Sequence, residues 1–274
     1  MDLSELNAYL QAEIGAFPGK TSLLAARVSD SQVLCSFDPE VRVVSASTIK
    51  VPILLSALDQ VQQGRLSLEQ EIELLPSEIL EDTAVFEEAQ RIYSLWELLY
   101  WMIVESDNTA TNRIIDLLGY GTINAYSDMV LGLKHTVCQR KMLDWEAIRG
   151  GKNNYTSATD QFRLYQDLCT GRLLTPQLTQ TALDMLVRQR SMDCILRYIP
   201  QRVDFAHKTG GLDHLVHDAG VFFQRDGDFF VGIFTWDGPS PEGDKRQKMY
   251  LGRLGKAIYS TCCNHPGLSA PLTR

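Results

Sequence analysis

The order of segments predicts an α+β fold. Both chain ends contribute to an antiparallel five-stranded sheet flanked by terminal helices, and a large all-helical lobe lies between them. Three observations lead there. Strand-like composition occurs near the start and returns after residue 200, the long middle stretch carries helical periodicity, and an amphipathic helix stands at each end.

The elements follow in chain order. "MDLSELNAYLQAEIGAF" places Leu3, Leu6, Leu10 and Ile14 on one helical face. "TSLLAARVSD" (21–30) and "QVLCSFDP" (32–39) read as strands joined by a polar turn at Asp30-Ser31. From 47 to about 200 the pattern is helical. In "RIYSLWELLYWMIVES", Ile92, Leu95, Trp96, Leu99, Met102 and Ile103 share a face at 3.6 spacing, and Trp96, Tyr100 and Trp101 read as core. "TNRIIDLLGYG" stops at Gly119 and Gly121. Three strands close the sheet, at 202–210, 219–227 and 228–239, with Asp226-Gly227 as a hairpin signal. The last helix spans 245–263. The organisation predicted is one discontinuous unit, with a sheet lobe of residues 1–44 plus 202–274 and a helical lobe of residues 45–201. Sites tend to lie between such lobes.

The chain has 274 residues, 45% hydrophobic and 22% charged, enough to bury a substantial core. No apolar stretch approaches the roughly 18–20 residues that span a bilayer, so no membrane partner is expected. Net charge is −8, with the acids concentrated in 67–90, which reads as a solvated face. That sign argues against nucleic acid, whose phosphates demand the opposite charge. The six cysteines, Cys35, Cys138, Cys169, Cys194, Cys262 and Cys263, form no CxxC pair and no disulfide framework. They read as small core residues and lean toward a reducing compartment. The acidic start lacks the basic, then apolar, pattern of a signal peptide. The expectation is therefore a cytoplasmic protein, or an exported mature form lacking its signal. A monomer is the default.

The chemistry sits in three short motifs. "SASTIKVPILLSAL" sets Ser47 three residues before Lys50, one helical turn apart and on the same face. Pro52 then falls in the first turn, where a missing N–H costs little. A helix start aims partial positive charge at Ser47, and an amine within reach activates it as a nucleophile. Poising Lys50 near neutrality requires roughly 4–5 kcal/mol against its ammonium form. Burial against the apolar run and a second cation, Lys208, both act that way. Further along, "VESDNTATN" holds Ser106-Asp107-Asn108, and "AHKTGGLDH" holds Lys208-Thr209-Gly210-Gly211 at a strand end.

S-x-x-K, S-D-N and K-T-G in this order resemble class A β-lactamases and related penicillin-binding serine hydrolases. The resemblance covers most of the chain. It implies that Ser47 attacks the carbonyl and forms an acyl-enzyme, and that Ser106 relays a proton to the departing nitrogen, tuned by Lys50 and Lys208. It assigns Asn108 to the substrate side-chain amide, and Lys208 and Thr209 to the substrate carboxylate. The N–H groups of Ser47 and Gly211 would form the oxyanion hole. No cofactor is implied.

Two departures qualify the resemblance. Class A enzymes carry a deacylating glutamate two residues after an arginine, followed four residues later by an asparagine. In "VCQRKMLDWEAIRGGKNNYTSATD", Arg140 and Asn154 look like the ends of that loop, but Met142 occupies the glutamate's place. Asp144 and Glu146 are the nearest candidate bases, and surface charge is the other reading of both. The second departure is an arginine missing from the start of the last strand, where Asp228-Phe229-Phe230 stands. Asp213-His214-Leu215-Val216-His217-Asp218 reads as a loop. Its histidines complete no zinc set, so no metal is expected, though His214 or His217 is a candidate substrate contact.

The leading function is opening of a β-lactam ring through a Ser47 acyl-enzyme. The alternatives are a D,D-peptidase-like or esterase-like hydrolase, or a penicillin-binding sensor that acylates without efficient turnover. The partner is a small β-lactam or a peptide or ester substrate.

Overall fold

The structure is a computed structural model describing residues 1–86, 91–200, 203–239 and 245–263. The end of the acidic run, the first residue of the strand expected at 202–210, and the 264–274 end of the sheet lobe lie outside the described residues.

A five-stranded antiparallel sheet comprises β1 (Lys20–Arg27), β2 (Val33–Phe37), β3 (Phe205–Leu212), β4 (Leu215–Phe222) and β5 (Phe229–Trp236), in the order β2-β1-β5-β4-β3. The expected fold class is therefore observed. The first and last strands pair along their whole length, from Lys20 opposite Trp236 to Arg27 opposite Phe229. Ser31 (φ 62°) and Gly227 (φ 125°) adopt left-handed backbone in the β1–β2 and β4–β5 turns.

The sheet is buried on both faces, and alternation along each strand sends residues to two cores. On one side Leu23, Ala25, Phe205, Phe222, Val231 and Ile233 meet the terminal helices α1 (Leu3–Ala16) and α8 (Lys245–Cys263). Asp2 and Glu5 form a capping box that starts α1, and Leu6 and Leu10 are its buried contacts. On the other side Leu24, Ala26, Val221, Phe230 and Phe234 meet the helices of the chain's middle. These are α2 (Lys50–Gln62), α3 (Leu95–Val104), α4 (Asn108–Ala125), α6 (Ala158–Cys169) and α7 (Pro176–Val187), while the short α5 (Trp145–Arg149) contributes no residue to this core. Among the described residues no helix is long and apolar enough to cross a membrane.

Three details differ from the expectations. Ser94 and Glu97 cap α3, so the helix begins at Leu95 and Ile92 lies in a short strand. Leu95, Leu99, Met102 and Ile103 are buried, whereas Trp96 is 42% exposed and stacks on Tyr100. Gly119 breaks helical geometry as expected (φ 73°, ψ 149°), but the run resumes to Ala125. The segment read as a loop after Gly211 is a two-residue turn, Asp213-His214, followed at once by β4. His217 and Asp218 are fully buried strand residues, a polarity that disguised the strand.

All six cysteines are free thiols, with Cys169 and Cys263 half-buried and the others buried.

Gly220 faces His207 across β3 and β4, and an added Cβ would lie 2.3 Å from the Ala206 carbonyl oxygen. Gly220→Ala must shift that backbone, with an expected loss of about 2–3 kcal/mol, read as a lower urea midpoint at unchanged m-value.

Candidate active site

Ser47 sits on a 3-10 turn, Ala46–Ile49, that leads directly into α2. Lys50 is therefore the first residue of the α-helix, and Pro52 the third. Two anchors position the turn. Ser45 donates its N–H to the Asn154 carbonyl at 2.9 Å, and the Thr48 hydroxyl donates to the Ser45 carbonyl at 2.7 Å. Ala46 is held in the left-handed region at φ 45°, a strain of the kind found at functional sites.

Lys50 is fully buried and its Nζ donates three hydrogen bonds: to the Ser106 carbonyl oxygen at 2.5 Å, to Ser106 Oγ at 3.1 Å and to Asn108 Oδ1 at 2.7 Å. Ser106 is itself left-handed, at φ 60°. Asp107 caps α4 by accepting from Ala110 N–H, and Asn108 begins that helix. The cap and the two oxygen-bearing partners of Lys50 thus occupy one tripeptide. Burial first, and Lys208 second, hold the Lys50 pKa well below the ordinary lysine value.

Strand β3 supplies Lys208, Thr209, Gly210 and Gly211. Lys208 is fully buried, donates to the Thr209 carbonyl at 3.0 Å, and has its pKa pushed down by burial to about 7. Gly210 is where the strand comes closest to the nucleophile's turn: an added Cβ would stand 3.1 Å from the Ser47 nitrogen and 3.2 Å from the Ser45 carbonyl oxygen. Gly211, by contrast, faces open space. Behind the strand, Asp218 accepts from His207 at 2.8 Å and from Ile195 N–H at 3.0 Å.

His217 is not a substrate contact. Its Nε2 donates to the Val44 carbonyl at 2.8 Å and its Nδ1 accepts from Thr235 N–H at 3.2 Å, a neutral tautomer that braces the chain just before the Ser47 turn. Burial pushes its pKa down to about 4. His214 is exposed on the turn, where its Nδ1 bonds the Gly238 carbonyl. Among the described residues no group of three or more His, Cys, Asp or Glu could hold a metal ion.

A cavity of about 420 Å³ is lined by Ser47, Ser106, Asn108, Thr209, Gly210 and Gly211. Lys50 and Lys208 stand behind this wall rather than in it. Asn154 ties the loop that follows the S-D-N region, accepting from Gln139 and Arg140 N–H at 2.7 and 3.1 Å. Asn112 clamps both backbone groups of Met142. The loop brings Leu143, left-handed at φ 57°, and Trp145 to the cavity. Asp144 spends its side chain on the Ala147 N–H as the cap of α5, and Glu146 is exposed; neither is among the described residues lining the cavity.

Sequence reasoning missed two parts of the wall. Asp82 comes from the acidic run assigned to solvent, yet accepts from Asn108 Nδ2 at 2.6 Å inside the cavity. At the other end lie Asp193, Cys194, Asp213 and Lys248, with Lys248 and Asp193 paired at 2.8 Å. No local motif marks either group.

Lys208 has a measurable thermodynamic signature. Its pKa is about 7 in the fold and about 10.4 in an unfolded chain, so between those values the unfolded chain holds a proton that the folded one lacks. Its penalty is therefore full below pH 7 and fades as pH rises toward 10. Lys208→Met is expected to stabilise the protein by roughly 2–4 kcal/mol at pH 6, with the gain shrinking toward pH 10 in denaturant titrations.

Comparison with known proteins agrees with this geometry. VEB-1 of Pseudomonas aeruginosa, a β-lactamase, is 23% identical over 250 residues, covering 80% of this chain and 77% of that protein. A β-lactamase structure from Sphaerobacter thermophilus superposes with a TM-score of 0.84 at 26% identity, covering 99% of this chain and 100% of that one. PBP-A gives 0.82 at 26% identity, covering 95% and 96%. The Beta-lactamase2 family, described as the β-lactamase enzyme family, matches residues 5–262. With the match running through all three motifs and nearly the whole chain, the protein belongs to the β-lactamase enzyme family.

Proposed function

We propose that this family member is a class A-like serine hydrolase that opens the β-lactam amide through an acyl-enzyme on Ser47. The observation that carries the reading is the threefold engagement of Lys50 Nζ by Ser106 and Asn108, on a cavity shared with Ser47.

The roles are those that the resemblance implies, and the geometry supports them. In its neutral form, favoured by the depressed pKa, Lys50 donates at most two of those three hydrogen bonds and its free lone pair accepts the Ser47 proton as the hydroxyl attacks the carbonyl carbon. Negative charge moves to the carbonyl oxygen, held by the N–H groups of Ser47 and Gly211, each worth about 3–4 kcal/mol. As the C–N bond breaks, Ser106 Oγ delivers a proton to the nitrogen and is resupplied by Lys50, 3.1 Å away. Thr209, on the cavity wall, holds the substrate carboxylate, with Lys208 behind it adding the field of its charged form, and the Asn108 amide holds the acyl side chain.

Deacylation is the slower half. Water must attack the ester, and the loop offers Leu143 and Trp145 to the cavity where a carboxylate would serve as base. Without a base this step loses roughly 10²–10⁴-fold. The PBP-A structure carrying a leucine-to-glutamate change is an acyl-enzyme complex with penicillin G, so a β-lactam acyl-enzyme has been observed on a similar fold. The apolar loop lining favours acylation that outruns turnover, which narrows the distance between a β-lactamase and a penicillin-binding sensor.

Benzylpenicillin followed by intact mass, beside hydrolysis of a chromogenic cephalosporin, tests the reading. One adduct per chain, absent in Ser47→Ala, should form in a burst and decay slowly. Fast hydrolysis without a burst would remove the slow-deacylation part, and no Ser47-dependent adduct with any β-lactam would sink the acyl-enzyme reading. Asp144→Ala and Glu146→Ala address the base. A fall of about 10²-fold in the slow phase identifies whichever acts. The positions of both side chains lead us to expect only the loss of about 1 kcal/mol of stability from the Asp144 cap.

A further inference from the structure

We propose that Asp82 is a specificity-determining residue, selecting acyl groups that carry a protonated amine beside the scissile amide over those that carry a carboxylate there. The inference rests on the reading of Ser47 as the acylated residue.

Asp82 is an exposed carboxylate on the cavity wall beside Ser47, Ser106 and Asn108. Its partner is the group expected to meet the substrate's acyl portion. Asn108 accepts from Lys50 at Oδ1 and donates to Asp82 at Nδ2, 2.6 Å away, so both ends of the amide are fixed. An amide nitrogen has two hydrogens. One is committed to Asp82, and the second remains for a substrate carbonyl, which places that acyl group against the Asp82 carboxylate.

The fold pins this carboxylate in place. Leu80 N–H donates to Thr109 Oγ1 at 2.9 Å, and Thr83 Oγ1 donates to Asp107 Oδ2 at 2.5 Å, so residues on both sides of Asp82 are fastened to the start of α4. Val85 and Phe86 donate their N–H groups to Thr83 Oγ1, and the buried Phe86 ring packs edge-on against Tyr93 at 4.9 Å. The charge balance of the wall points the same way. Lys50 and Lys208 lie behind the wall, and their burial disfavours their charged forms. Of the charged described residues lining the cavity, Asp82, Asp193 and Asp213 face one cation, Lys248, which is already paired with Asp193. Asp193, Asp213 and Lys248 line the other end, so the charge that the described lining residues place beside the acyl group is that of Asp82.

The test compares second-order acylation constants by intact mass for ampicillin, with an amine on the acyl group, carbenicillin, with a carboxylate there, and benzylpenicillin as the uncharged reference. The wild type should favour ampicillin over carbenicillin. Asp82→Asn keeps the shape and an acceptor for Asn108, and should move that ratio about tenfold toward carbenicillin, by less at high salt. Asp82→Glu should move it back. An unchanged ratio in Asp82→Asn, with benzylpenicillin still acylating, overturns the proposal and leaves the Ser47 reading standing. If none of the three acylates, the Ser47 reading fails, and noncovalent binding decides the role of Asp82. Trp145 lines the same cavity, so its fluorescence, identified with Trp145→Phe, reports occupancy by phenethylammonium or phenylacetate. Weaker ammonium binding in Asp82→Asn supports the selection, and equal affinities overturn it.

Discussion

Lys50 and Lys208 are both fully buried and repel one another, and the surrounding structure is organised by what that arrangement costs. An ammonium ion removed from water loses several kcal/mol unless oxygens replace its hydration. Lys50 receives three such oxygens, all from the Ser106–Asn108 segment. Lys208 has one carbonyl and, across the strand, the field of Asp218. Asp218 is in turn held by His207 and a backbone N–H, so the counter-charge has a fixed position. The hydrogen bonds favour the charged amines while burial and mutual repulsion oppose them. A proton poised between these influences can be moved by a substrate, which a solvated lysine at pH 7 would not allow.

Such poise requires rigidity. Ala46, Ser106 and Leu143 all take left-handed backbone without being glycine, and each belongs to a segment tied by buried or part-buried hydrogen bonds. Gly210 solves a different problem. The strand must run against the nucleophile's turn, and a side chain there would press on Ser45, Ala46 and the Ser47 nitrogen. Closeness at 210 leaves 211 open to the cavity, so two adjacent glycines serve unlike purposes.

Much of this was legible in the sequence, because strand alternation, helix caps and the three motifs are local patterns. Ser47, Lys50, Ser106, Asn108, Lys208, Thr209 and Gly211 all come to one place, and the first four are on or beside helix starts. The errors have a common origin in tertiary context. The start of β4 was hidden because His217 and Asp218 are polar, and their burial is tolerated only through partners on other segments. Trp96 shares the spacing of core residues but falls on the exposed side, since Leu98 supplies part of the buried face instead. Asp82 sat in a run of acids that looked uniform. Only its distance from Asn108 separates it from its neighbours, and no sequence pattern encodes that contact.

The pairing of β1 with β5 joins one of the first elements of the chain to one of the last. During synthesis Ser47 and Lys50 emerge early, while the strand bearing Lys208 and the strand that completes the sheet arrive near the end. Until then β1 has one edge without its native neighbour, an invitation to wrong pairing that a chaperone or a fast helical collapse must cover. Long-range closure of this kind folds slowly. Reactivity at Ser47 therefore reports on completion: a nascent or truncated chain lacking its last strands has the nucleophile but not the environment that arms it.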